Sequence, residues 1–153
     1  MFKAAATCVL IMPRAPADNT WKEATPMTEH QIFIPTPRDR KGRLAWLSMN
    51  ERTHWAPRAE KTRQWRTLAR FTAAQHKLPT GLENVHITAH VHKTNNRSYD
   101  VHNLLPTMKA VVDGLVDYGL VDDDDNSRLT GPDMRHGEKQ DTAGITITIK
   151  ETA

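Results

Sequence analysis

Between residues 85 and 92 the chain alternates without a break. Val85, Ile87, Ala89 and Val91 fall on one side of an extended segment, and His86, Thr88, His90 and His92 fall on the other. Such a segment reads as a strand with one covered and one open face. The closing stretch GITITIKET has the same period, with Ile145, Ile147 and Ile149 on one face. In VHNLLPTMKAVVDGLVDYGL the period changes to that of a helix, and Leu104, Met108, Val111, Val112 and Leu115 form its apolar stripe. Asn103 suits its start, Pro106 its first turn and Gly119 its end. An earlier helix begins near Pro57 in PRAEKTRQWRTLARFTAAQHKL. Trp65, Leu68, Ala69 and Thr72 share one of its faces, Lys61, Arg63, Arg66 and Arg70 spread over the others, and LPTG ends it. HQIFIPTPR places a first strand over 31–34, stopped by Pro35 and Pro37, before a basic loop or hairpin around Gly42. NSRLTGPDMRHGEKQDT reads as a strand, a turn and irregular chain. The order is strand, helix, strand, helix, strand, strand. It predicts an α+β fold, a small mixed β-sheet with two main helices.

A chain of 153 residues supports one domain with a modest core. At 38% hydrophobic and 25% charged residues it reads as globular and soluble, with no membrane partner. Cys8 is the only cysteine, so neither an intrachain disulfide nor a cysteine metal cluster can form, which fits a reducing cytoplasm. The opening MFKAAATCVLIM is short for a secretory signal and meets no obvious boundary. Residues 1–26, rich in Pro, Ala and Thr and without a period, read as a disordered extension. The compact domain then covers 27–153. Neither an internal repeat nor a glycine-rich phosphate loop is present in the sequence.

The formal net charge is +3, but the charges are segregated. Arginine and lysine dominate from 38 to 70, whereas Asp113, Asp117 and the run Asp122, Asp123, Asp124, Asp125 come later. A short acidic run is ordinarily a solvated loop or a helix stop. A second carboxylate gives it another meaning: Asp100, with His102 beside it, lies just before the helix that the run follows. If the strand-like segment closing at Asp100 and the strand after the run are neighbours, both groups converge at one sheet edge. Lys109 and Asp113, one turn apart and off the apolar stripe, lie over the same polar surface. Clustered aspartate oxygens are what Mg²⁺ requires, and such an ion activates water and neutralises charge on a phosphoryl group. A nearby lysine stabilises the same charge. A basic surface would then hold a phosphate polymer and the acidic pocket the metal that cuts it. His86, His90 and His92 also share a face, but polar residues are expected on the open side of a sheet.

SYDVHNLLPTMKAVVDGLVDYGLVDDDD resembles the core motif of the RusA-type Holliday junction resolvases, common in phage and prophage genomes. The matching residues are Asp100, Asn103, Lys109, Asp113-Gly114-Leu115, Gly119-Leu120-Val121 and Asp123-Asp124. IPTPR and the segment SMNERTHW resemble the family's first strand and its Ser/Asn-rich loop. The resemblance implies a homodimeric, Mg²⁺-dependent endonuclease that nicks four-way DNA junctions in pairs during recombination and repair, leaving 5′-phosphate and 3′-hydroxyl ends. It implies Asp100 and Asp124 as catalytic carboxylates and Lys109 as the catalytic lysine. His102 stands where the motif has a second acid. The implied metal ligands are therefore Asp100, His102, Asp123 and Asp124, with the ligating member of the run open by a residue. Imidazole suits Mn²⁺ better than Mg²⁺, so Mn²⁺ is the expected preference. Asn50, Arg52, Lys61, Arg63, Arg66 and Arg97 are the candidate DNA contacts. Two alternatives stay open: a junction-binding protein whose metal site His102 has disabled, and a metal-dependent hydrolase of a small phosphoester.

Overall fold

The computed structural model describes residues 27–152. The extension read over 1–26 lies outside the described residues. In chain order the elements are β1 (Glu29–Pro35), α1 (Trp55–Gln75), β2 (Val85–His92), a 3₁₀ turn (Val101–Leu104), α2 (Leu105–Tyr118), β3 (Leu129–His136) and β4 (Gly144–Glu151). The four strands form one sheet in the order β1-β4-β2-β3. β4 runs antiparallel to both β1 and β2, whereas β2 and β3 are parallel. The fold is therefore α+β, with a four-stranded mixed sheet and two helices. A parallel pair needs a long crossover, and α2 with its preceding turn provides it.

The alternating strands determine where the core lies. Ile32 and Ile34, Val85 to Val91 at alternate positions, and Ile145, Ile147 and Ile149 are all buried on one face. Their register stacks Ile32 beside Ile147 and Ala89 beside that same Ile147. The helices cover this face with Trp65, Ala69, Met108, Val111 and Leu115. Gly114 lets the helices approach, because a Cβ there would overlap the Arg66 carbonyl oxygen. Among the described residues no helix is long and apolar enough to cross a membrane.

Three local readings change. α1 begins at Trp55, two residues before Pro57, and ends at Gln75, before Lys77 takes a left-handed φ of 51°. The turn leading into α2 is capped by Asp100, whose carboxylate accepts from the His102 amide at 2.9 Å. Asn103 is not the cap: the 3₁₀ turn starts one turn earlier, and Leu104 precedes α2 without a side-chain cap. β3 runs through Gly131 and Pro132, which an edge strand tolerates, since its outer amides need no ladder partner.

One long loop matters for the site. Buried Thr107 exchanges two hydrogen bonds with the Leu47 backbone, at 2.8 and 2.9 Å, and the Met49 amide donates to the Asn103 carbonyl at 2.8 Å. The indole of Trp65 also donates to the Ala45 carbonyl at 2.8 Å. The loop before α1 is thereby pinned beside the start of α2.

Candidate active site on the second helix

The polar face of α2 carries Lys109 and Asp113, whose side chains form an ion pair at 2.8 Å. Asp124 reaches the same ammonium from fifteen residues further along the chain. The four aspartates of the run divide their work. Asp122 points outward to Arg128 at 3.5 Å. Asp123 accepts from the Asp124 amide at 2.8 Å. Asp125 closes the following turn by accepting from the Ser127 amide at 2.9 Å, from its hydroxyl, and from the Arg128 amide at 3.2 Å. Asp124 alone among them turns to Lys109, and its side chain is 34% exposed against 76% for Asp122. The Lys109 ammonium holds the Asp124 carboxyl below its ordinary range. Hydrogen bonds from Lys109 to Asp113 and then Asp124 raise the lysine above its own, since they favour the charged form. Lys109 is thus a fixed cation. It lines, with Leu105, Val112, Asp124, Leu129 and Pro132, a cleft of about 270 Å³ between α2 and β3.

Asp100 and His102 form a separate, exposed pair with Oδ1 3.3 Å from Nδ1. The ends of the strands do not by themselves bring the two groups together. β2 and β3 are neighbours, but they are parallel, so the chain leaves β2 at the end opposite to the one where it enters β3. Tyr99, next to Asp100, bonds the Val91 carbonyl at 3.3 Å and packs against His136 at 4.6 Å between ring centres. The acidic loop leads into the start of β3, where the Leu129 amide donates to the Asp125 carbonyl. The polar face of α2 brings Asp124 to the lysine; the sheet edge does not.

The donor set is carboxylate oxygen with one imidazole nitrogen, and its members reach solvent, which suits a divalent ion such as Mg²⁺ or Mn²⁺. Among the described residues, however, no three His, Cys, Asp or Glu side chains stand close enough to share an ion. The ammonium of Lys109 occupies the place between the Asp113 and Asp124 carboxylates. The set fits the ion in its chemistry and is not assembled around one.

The six candidate DNA contacts fall into two groups. Lys61 is ion-paired with Glu51 at 2.5 Å, bonds the Trp46 carbonyl at 3.3 Å, and is only 15% exposed. Arg66 is held by both oxygens of Asp117. These two cations are spoken for inside the domain. Asn50, Arg52, Arg63 and Arg97 are exposed. Asn50 and Arg52 belong to the pinned loop beside the 3₁₀ turn, and Arg97 comes three residues before Asp100 in the chain. Arg63 lies on α1 and lines another groove, with Leu68 and Phe71.

The strand histidines have individual partners. His86 meets Asp133 at 2.8 Å, and His92, buried rather than on an open face, sits between the Glu138 carbonyl at 2.7 Å and the Thr146 hydroxyl at 2.9 Å. Sequence reasoning missed Thr107 and Glu51, which hold the loop, because their partners are loop backbone and a helix lysine that no period reveals. It also missed Lys93, whose ammonium lies over the Trp46 and Tyr99 rings at 4.2 and 4.9 Å. Neither a protein-family model nor a curated protein matches the chain.

Proposed function

We propose that the chain is a structure-selective DNA endonuclease of the RusA type, acting as a homodimer on four-way junctions with Mg²⁺ or Mn²⁺. The observation that carries this reading is the contact of Asp124 with Lys109, which joins the two halves of the quoted motif across fifteen residues. Asp100, His102, Asp123 and Asp124 would hold the ion. When bound, the ion supplies an activated water and neutralises phosphoryl charge. Lys109, kept protonated by its two carboxylates, acts as a cation on the scissile phosphate and not as a base. Arg52 and Arg97, exposed on loops flanking Asp100, hold the strand backbone. Two-fold symmetry supplies two such sites for two related cuts.

The test is cleavage of a synthetic four-way junction, with linear duplex as control. Asp100→Asn and Asp124→Asn should each lower junction cleavage by orders of magnitude with folding and binding retained, because each removes a charge and leaves the shape. Normal cutting by both variants would reduce the acidic loop to a solvated turn. A second reading, junction binding without cleavage, is favoured by the engagement of Asp100 with His102 and the unassembled donor set. Tight binding with no product under either metal selects it. A small phosphoester as substrate would instead go with the absence of salt-dependent DNA binding.

A further inference from the structure

A second cleft of about 270 Å³ opens where the parallel strands β2 and β3 end. Lys93, Arg97, Tyr99, His136, Gly137 and Lys139 form its walls, with Asn95, Asn96 and Ser98 adding neutral polar groups. The walls are tied together. The Gly137 amide donates to the Val91 carbonyl at 2.8 Å, and the Gln140 amide donates to the Lys93 carbonyl at 3.1 Å. Three permanent cations line this cleft and no carboxylate does, although Glu138 and Asp141 are exposed on the same loop.

Lys93 is the unusual member. Its ammonium rests over two aromatic rings, Trp46 and Tyr99, and forms no ion pair among the described residues. Burial alone holds its pKa below the ordinary lysine value. A half-buried cation that faces aromatic rings and no anion has its desolvation cost only partly offset, and a bound anion would offset more of it. The neutral amide and hydroxyl groups around it are further donors for phosphate oxygens. The cleft adjoins Asp100 through the chain itself, since Arg97 and Tyr99 line it and Asp100 follows directly.

We propose that this cleft is a phosphate-binding subsite for the DNA strand running to Asp100, with Lys93, Arg97 and Lys139 as its cations. The proposal rests on the DNA reading above and adds a place where the strand is gripped away from the cut. A phosphodiester within a strand, rather than free phosphate, is the fitting occupant, because Arg97 and Tyr99 of the cleft wall lead directly into Asp100, so a strand running to Asp100 passes the cleft.

The experiment is a titration of the ¹⁵N-labelled protein with the dinucleotide pTpT and, in parallel, with inorganic phosphate. Saturable shifts should appear at the amides of Lys93, Tyr99 and Gly137, with pTpT binding at least about tenfold more tightly than phosphate. Arg97→Gln and Lys139→Gln remove exposed charges and should leave thermal stability unchanged. Each should weaken pTpT by about tenfold, as expected for a lost charge-assisted hydrogen bond. Each should also lower the salt slope of junction binding by about one. Shifts absent from these amides, equal affinity for inorganic phosphate, or unchanged binding by both variants would overturn the subsite. The two readings fail separately. If pTpT fills the cleft and junctions stay uncut, the endonuclease falls and the subsite stands; if the parent cuts junctions and both variants keep its affinity and salt slope, the subsite falls together with the part of Arg97 in holding the strand, and the endonuclease stands.

Discussion

Gly114→Ala puts one methyl group into the tightest contact between α1 and α2. The added Cβ would overlap the Arg66 carbonyl oxygen, lie 2.8 Å from the Ala69 Cβ and lie 3.1 Å from the Arg66 carbonyl carbon. None of these atoms ends a flexible side chain. Carbon atoms sit comfortably at about 3.5–4.0 Å, so the helices must part by roughly 1 Å. They cannot part freely, because Trp65 on one and Met108 and Leu115 on the other are fully buried against the sheet. Alanine restores about 1 kcal/mol of helix propensity over glycine. Overpacking against a fixed neighbour costs up to about 3 kcal/mol. The net loss is about 2 kcal/mol, which for a domain of this size lowers Tm by roughly 5–10 °C. Thermal and urea unfolding followed by circular dichroism measure it. Ala69→Gly in the same background should recover part of the loss, since it removes one of the two obstructing groups and leaves the carbonyl. An unchanged or raised Tm for Gly114→Ala would mean that propensity wins and that the helices do not meet as described. Since α2 carries Lys109, the same displacement should lower junction cleavage.

Glu51 offers a pH test: burial pushes its carboxyl up, but Lys61, Thr53 and the Ser48 backbone outweigh this and hold it below its ordinary value. A depressed carboxylate stabilises above its unfolded value, ~4.3, and that contribution is lost as pH falls through the lower folded one. Glu51→Gln should therefore cost about 1–3 kcal/mol at pH 7 and flatten the fall in Tm below about pH 4, and parallel curves for parent and variant would contradict the assignment. His102→Asp should raise Mg²⁺-dependent cleavage and abolish a preference for Mn²⁺; His102→Ala cutting as well as the parent with both ions would remove His102 from the ligand set. Arg52→Gln should weaken junction binding and lower its salt slope by about one, whereas Lys61→Gln should lower Tm, because that lysine is paired inside the domain. Equal losses of affinity in the two variants would refute the distinction.

What periodicity governs was readable from the sequence. The alternation of Val85 to Val91 and of Ile145 to Ile149 marks strands, and each apolar side chain in those rows is buried. The apolar stripe of α2 and its end at Gly119, with φ of 97°, were equally legible, since a helix face and a left-handed cap are local requirements. The same holds for Lys109 with Asp113, which one helical turn brings together. The direction of β3 was not legible. Parallel and antiparallel partners present the same alternation, and only the crossover through α2 decides between them. That direction puts the end of β2 and the start of β3 at opposite ends of the pair. No local rule could distinguish Asp124 from the three aspartates around it, because its selection depends on a lysine fifteen residues away. Nor could composition show that Arg66 is held by Asp117, fifty-one residues on, while Arg52 stays free. Local sequence determines which elements form and which face each one buries, because those choices depend on neighbours within a turn or two. Which charges meet and which remain available to a partner is decided only when the sheet and helices pack, because that pairing joins residues the chain itself keeps far apart.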